Sequence, residues 1–487
     1  MRTATRFEHD TAMPTTGVPI TQVIARHVAT ARLADYRPGS VNLAKQLVLD
    51  AIANALAGSD TDAGRIIRRY AMRYLAGGSG ASVVGSSASW SAKDAAFVNS
   101  QLAALLDMDE TYRNAGHAGS PIVFAALASA ERDHASGEAV LTGILTAYDV
   151  TSRIIDSITP SLEKWSTGIF PFCLGDAFGP AISSAVVLEL TEGQVVDALA
   201  LSGGTARLPM AAKQADRPRS PMKNVQGWHA EHGVIAAAMA AEGFAGIVDV
   251  LDGPKAFWAA AGSDRWRPEL ITDGLGERCR IDLMSLKAQP ACRLIHAAIE
   301  SVVAAVRGNQ VSLAHIERIE VTAISRVANS PAFADQAPTA MFDAIFSLPY
   351  NVAAALLDVA PGPDWYRDGM LANPELRTVA AKVWLAADPT GQLDAKYSDD
   401  PLHAAARARV ITRDAEYAAG CDAPKGDPAN PYTNAELVDR IVTMTRSMTD
   451  AGTIRELADT VFGLESMSDV AALGELLRTM NGEGRTE

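Results

Sequence analysis

The chain has 487 residues, enough for two or three domains with their own cores. Its formal net charge is −14 with no lysine- or arginine-rich run, which argues against nucleic acid or an anionic membrane surface as the main partner. A small anionic substrate stays open, because a few locally held cations outweigh a distant field.

Cys173, Cys279, Cys292 and Cys421 are widely spaced with no CxxC pair, so neither a disulfide scaffold nor a zinc knuckle is expected. The first 19 residues lack the apolar stretch of a secretory signal and read as a disordered tail. No apolar run reaches the roughly 18 residues that span a bilayer, so a cytoplasmic location is the default expectation.

From residue 20 the pattern is helical. Residues 40–58 place Leu43, Leu47, Ile52 and Leu56 mostly on one face, with Gly58 as a stop signal. Residues 76–91 are rich in glycine and serine but carry neither a third glycine at dinucleotide spacing nor a GKS/T. They read as a connector with a short extended piece. Helical periodicity returns at 92–108, 120–132, 137–156, 191–204 and 230–246, with a capping box at Thr191 and Gln194. So much alanine fits a packed multi-helix domain better than a sheet.

The character changes near residue 278. Strand-like pieces at 280–285, 315–325, 381–388 and 406–415 alternate with helices at 292–308 and 348–358. After residue 428 the helical register returns, with a capping box at Thr433 and Glu436. The expected fold is mainly α. A large helical domain is made of residues 20–277 and 429–487, and an α+β lid domain of residues 278–428 is inserted between them.

Residues 106–120, LDMDETYRNAGHAGS, concentrate the chemistry. Asp107, Asp109 and Glu110 precede Thr111, Tyr112 and the glycine-flanked His117, on a short loop between two helical segments. Titratable groups on a loop held by rigid elements are a common way to build a site, while a solvated acidic helix end is the plainer alternative. His229, Glu231 and His232 form an i, i+3 histidine pair that could ligate a metal. With no evident third ligand it reads better as a polar helix face.

Several segments jointly resemble the MmgE/PrpD family, the 2-methylcitrate dehydratase-like proteins. They are ASVVGSSASWSAKDAAFVNSQLAALLDMDETYRNAGHAGSPIV, GFAGIVDVLDGPKAF, LMSLKAQPACRLIHAAIES, AIFSLPYNVAAALLD and NPYTNAELVDR, collinear over about residues 25–480. The resemblance implies a homodimer without metal or organic cofactor, acting on a small di- or tricarboxylate at a carbon next to a carboxylate. It places the family's acidic-loop Asp, Thr and His on Asp107, Thr111 and His117. Its helix lysine falls on Lys223, its lid lysine on Lys287 and its lid tyrosine on Tyr350.

These residue types suit that chemistry. Proton removal beside a carboxylate builds negative charge that fixed cations stabilise, and Lys223, Lys287 and Arg293 are candidates. His117 is the expected general acid/base, Asp107 its orienter or a partner for a substrate hydroxyl, and Thr111 and Tyr350 hydrogen-bond donors to substrate. His296, at helical spacing from Cys292 and Arg293, faces either the cleft or the core.

One departure stands out: where the family often carries a second histidine, this chain has Phe172 or Cys173. Cys173 is then either a weak acid/base near the substrate or a small buried apolar residue. The expected activity is a cofactor-independent, dehydratase-like lyase. The alternatives are an epimerase or decarboxylase of a related polycarboxylate and, in another class, a catalytically silent carboxylate-binding paralogue.

Overall fold

Where small residues line a helix face, neighbouring helices approach until backbone meets backbone. The N-terminal half of this chain is assembled in that way. The computed structural model describes residues 17–113, 116–161, 163–164, 175–206, 226–400 and 404–480. Its first helices are α1 Ile20–Thr30, α2 Pro38–Ser59, α3 Asp62–Tyr74, α4 Ala92–Ala103 and α5 Gly119–Asp133. They are followed by α6 Gly137–Ile158, α7 Phe178–Val187, α8 Glu192–Gly204 and α9 Gln226–Ala241.

α2 is buried at every position from Ala44 to Ser59, so it is a core helix rather than one with a single apolar stripe. Leu47, Ile52 and Leu56 are fully covered as the periodicity implies, but so are the residues between them. α4 lies among α2, α5 and α9, and Gly58 of α2 abuts the Leu102 carbonyl, where any Cβ would collide. The connector before α4 contains one isolated bridge, Ala81 to Trp90. The capping box at Thr191 and Gln194 forms at the start of α8.

Helix α4 stops at Ala103, five residues short of the expected 108, and Asp107 then adopts a left-handed φ of 50°. The chain re-emerges as a two-residue strand, β1 Thr111–Tyr112, which pairs antiparallel with β2 Met284–Ser285. The strand expected over 280–285 is therefore shorter than the sequence suggests. Arg280–Leu283 form a 3-10 turn, and β1 offers a partner for only two residues.

Beyond β2 come α10 His296–Gly308 and a four-stranded sheet of β3 Ile316–Ala323, β4 Val383–Ala387, β5 Ala406–Thr412 and β6 Glu416–Cys421. The order is β4-β3-β5-β6, with β3–β4 parallel and the other pairs antiparallel. The parallel pair requires a long crossover, which holds α11 Leu348–Leu356 and several shorter helices. In β3 alternation buries Ile319, Val321 and Ala323, a register shift between Ile316 and Arg318 lets Ile316 join them, and α10 covers β5 and β6. β6 has no fully buried residue, so its sequence EYAAGC carries no period-two apolar signal.

The chain ends in α12 Asn434–Thr445, α13 Ala451–Phe462 and α14 Ala471–Thr479, with the Thr433–Glu436 capping box opening α12. α12 and α13 pack on α2, and α14 on α5. Polar links fasten them. Arg440 is ion-paired with Asp50, and Lys45 Nζ meets the Phe462 carbonyl at 2.9 Å and Glu465 at 2.5 Å. The fold is thus mainly α with two small sheets, and among the described residues no helix is long and apolar enough to cross a membrane.

Candidate active site

The loop between α4 and α5 is shaped by its own acids. Glu110 Oε1 accepts the Gly119 backbone N–H at 2.6 Å, satisfying one of the donors exposed at the start of α5. Gly119 has no alternative, because the Tyr148 hydroxyl and the Glu110 carboxylate fill the space a Cβ would need. Tyr112 and Gly116 exchange backbone hydrogen bonds at 2.9 and 3.2 Å just before His117. From the first turn of α9, Gln226 Nε2 donates to the His117 carbonyl at 3.1 Å.

This frame gathers four of the residues named in the sequence: Asp107, Asp109, His117 and Lys287. Lys287 is fully buried, and its ammonium donates to the Asp107 carbonyl at 2.6 Å and to Asp107 Oδ1 at 2.8 Å. His117 Nε2 lies 3.8 Å from the same Oδ1. On the other side of the ring, Nδ1 lies 3.1 Å from the Glu110 carbonyl and 3.6 Å from Asp109 Oδ2. The His117 side chain keeps 25% of its surface accessible while those of Asp107 and Asp109 keep 3%, so the imidazole is the member that an incoming molecule can touch.

The electrostatics are those of acids taken out of water. Burial pushes the Lys287 ammonium down, but the Asp107 and Asp109 carboxylates more than offset this and hold its pKa above the ordinary lysine value. Burial, reinforced by Asp109, raises the Glu110 pKa well above the ordinary carboxylate value, with the Gly119 N–H opposing. Asp176 receives the His117 backbone N–H, yet burial still pushes it up to about 8. Asp50 is also raised by burial, with the Arg440 guanidinium opposing. Asp109 is the exception in its surroundings: both carboxylate oxygens are buried without a hydrogen-bond partner among the described residues.

Ligand atoms of Asp107, Asp109 and His117 lie within 4.8 Å of one another, a spacing a cation could exploit. The Lys287 ammonium already supplies positive charge at Asp107, and we assign these residues no metal-ligand role.

The other candidates are placed as follows. Thr111 sits in β1 opposite Ser285, two residues before Lys287, with its hydroxyl buried and unpartnered among the described residues. Arg293 is ion-paired with buried Asp427 at 2.6 Å, and burial lowers its pKa. His296 is fully buried, with Nε2 3.0 Å from the Ala291 carbonyl. Burial, then Arg293 and Lys287, push its pKa well below the usual imidazole value, so the ring is neutral. Tyr350 is buried with its hydroxyl donating to the Trp365 carbonyl. Lys223 and Cys173 lie outside the described residues, as does Phe172. In the histidine pair on α9, His229 is buried and His232 Nδ1 lies 2.9 Å from the Trp228 carbonyl.

Four contributors escaped the sequence reading. Tyr366 stacks on Tyr350 with ring centroids 5.9 Å apart, and burial, then Tyr350 and Asp107, push its pKa up. Gln226, Asp176 and Arg440 reach the loop or Lys287 from distant elements, Arg440 through the Lys287 carbonyl at 2.7 Å. Nothing in their local sequence marks them, because their partners lie far along the chain.

Comparison with known families matches the MmgE/PrpD N-terminal domain to residues 22–269 and the MmgE/PrpD C-terminal domain to residues 290–463. Similar proteins include a cis-aconitate decarboxylase of Aspergillus terreus, 25% identical over 476 residues that cover 93% of this chain and 94% of that protein. The cis-aconitate decarboxylase-like protein oryM of Aspergillus oryzae is 24% identical, covering 95% of this chain and 98% of its own. The cis-aconitate decarboxylase of Homo sapiens is 23% identical over 94% of each chain.

Proposed function

We propose a reaction from one premise: the chain belongs to the MmgE/PrpD family. On this reading it is a lyase that acts on a small di- or tricarboxylate by taking a proton from the carbon next to a carboxylate. His117 Nε2 accepts that proton, the C–H electron pair passes into a new carbon–carbon double bond, and the β-hydroxyl leaves as water on receiving the proton back from the imidazolium. The observation that supports this best is the convergence of His117 Nε2 and Lys287 Nζ on Asp107 Oδ1, at 3.8 and 2.8 Å.

The Nδ1 contact with the Glu110 carbonyl favours the tautomer with the proton on Nδ1, which leaves Nε2 as the base. Thr111 and Lys223 are assigned to the substrate's oxygens. Residues 278–428 are read as the lobe that brings Lys287 to the loop of the helical domain. A homodimer and independence from metal or organic cofactors belong to the same proposal. Light scattering measures the mass, and turnover that survives exhaustive chelation tests the second point.

A second reading, decarboxylation, is favoured by the names of the similar proteins. It uses the same histidine in reverse, as donor of a proton to the carbon that loses carbon dioxide. Incubation with citrate- and aconitate-like acids in deuterated water, followed by NMR, separates the cases. Loss of water supports the first reading and loss of carbon dioxide the second. Exchange without net conversion indicates an epimerase, and inertness across the panel a silent paralogue. His117→Ala should abolish any turnover; a rate within a few-fold of the unmodified protein would remove His117 from this role.

A further inference from the structure

We propose that Asp109, rather than Asp107, is the carboxylate that stabilises the positive charge His117 acquires when it accepts a proton. The inference rests on the proton-transfer reading above and assigns a positioning residue within it. Asp107 has its charge answered already, by the Lys287 ammonium at 2.8 Å, and it faces Nε2, the nitrogen at which the proton arrives. Asp109 faces Nδ1 at 3.6 Å, and neither of its oxygens has a hydrogen-bond partner among the described residues.

A buried carboxylate left in that condition is costly, and buried polar groups without partners are few in native proteins. Here the cost falls as soon as the neighbouring ring becomes a cation. The step balances: the substrate C–H bond breaks, the proton binds Nε2, and the electron pair remains with the substrate. Nδ1 keeps its proton toward the Glu110 carbonyl, and the new ring charge lies beside Asp109.

Among the described residues, the other titratable groups around the ring do not compete for this role. The Glu110 carboxyl is turned to the Gly119 backbone N–H at 2.6 Å, and burial, with Asp109 adding to the effect, raises its pKa. Asp176 is spent on the His117 backbone N–H and is itself pushed up by burial. Lys287 reaches the ring through Asp107, while Asp50 is paired with Arg440. Glu110 and Asp109 thus divide the work: the carbonyl of one fixes the tautomer, and the carboxylate of the other supplies the countercharge.

The test is nitrogen-15 NMR on labelled histidine, with the His117 signals assigned from His117→Ala. In Asp109→Asn the fraction of doubly protonated His117 at pH 6 should fall about tenfold, while the Nδ1–H tautomer of the neutral ring persists. Asp109→Glu should restore part of the lost fraction. Proton exchange into a citrate-like acid should slow at least tenfold in kcat with KM within about twofold, a split that loss of substrate binding would not produce.

A His117 ring whose protonation is the same in Asp109→Asn would overturn the inference. So would stoichiometric Mn2+ binding that Asp109→Asn abolishes, since the oxygens would then be ligands. Should Asp109→Asn fail to fold, the double variant Asp107→Asn/Lys287→Met decides, because it removes both charges of that pair together. A protonated fraction that survives there supports Asp109, and one that collapses overturns it. If ring protonation falls in Asp109→Asn but His117→Ala retains turnover, the proton-transfer reading fails while the assignment of the countercharge stands.

Discussion

Replacing Lys287 by methionine removes the ammonium while nearly keeping the side chain's length, and it exposes how much of the loop depends on one buried charge. Lys287 has no accessible surface, and its partner Asp107 keeps 3% of its side chain exposed, so water cannot replace the lost cation. At 2.8 Å the pair's Coulomb attraction is about 6 kcal/mol at an effective dielectric of 20, set against the desolvation of both charges. Breaking such a pair from one side costs about 3–5 kcal/mol, because an uncompensated charge stays behind. The Asp107 carbonyl also loses its 2.6 Å donor at a residue already in left-handed backbone.

The expected loss is therefore about 3–5 kcal/mol, a large part of the roughly 5–15 kcal/mol that holds a native protein together. Urea denaturation followed by both circular dichroism and tryptophan fluorescence measures it, coincident curves being the check for a two-state transition. The double variant Asp107→Asn/Lys287→Met should recover most of the loss, giving a coupling above about 2 kcal/mol. The ammonium's pKa is raised on folding, so its contribution is present below the unfolded value and is lost only as pH rises through the folded one. The penalty should accordingly be equal at pH 6 and pH 8. A loss under about 1 kcal/mol with no coupling would refute the claim that this pair is buried and organises the loop.

Arg440→Ala should cost about 3–5 kcal/mol in the same assay, since Asp50 keeps 2% of its side chain exposed and would be left unpaired. A change under 1 kcal/mol would mean that α12 is not anchored through this guanidinium. Asp176 is raised by burial to about 8, so its contribution is fully present below the unfolded value near 3.8 and is lost as pH rises through 8. Asp176→Asn should therefore flatten a decline in stability of up to about 1.4 kcal/mol per pH unit between pH 5 and 8, and an unchanged slope counts against it. Gly119→Ala drives a methyl into the Tyr148 hydroxyl and the Glu110 carboxylate; a stability loss of at least about 1–3 kcal/mol is expected, and a neutral outcome would contradict the packing. Tyr350→Phe strands the Trp365 carbonyl and should cost about 1–3 kcal/mol of stability. If it instead abolishes turnover in a fully stable protein, the hydroxyl is turned toward substrate rather than held by Trp365.

The helices were readable because their signals are local. Both capping boxes formed where a Thr and a Gln or Glu three residues later predicted them, and β3 shows the period-two burial its sequence implies. β6 was not readable, since an edge strand with no buried residue needs no apolar alternation. The early end of α4 was equally hidden. Its apolar run continues to Leu106, yet the helix ends at Ala103 and the chain beyond it turns so that Asp107 meets Lys287, 180 residues further along.

The acids, the histidine and the lysine of the candidate site are written in the sequence as residue types on a loop and a short strand. Which of them meet is not, because partner choice among buried charges depends on distances that only the folded helices set. Asp107 and Asp109 are two residues apart and chemically identical, yet one is neutralised by Lys287 and the other faces His117 without a hydrogen-bond partner among the described residues. Periodicity determined a mainly helical chain, and the 106–120 segment set carboxylates and an imidazole close together on one loop. Tertiary structure decided which carboxylate answers which cation, since in a low-dielectric interior an ångström of placement changes the energy of a charge pair by more than about 1 kcal/mol.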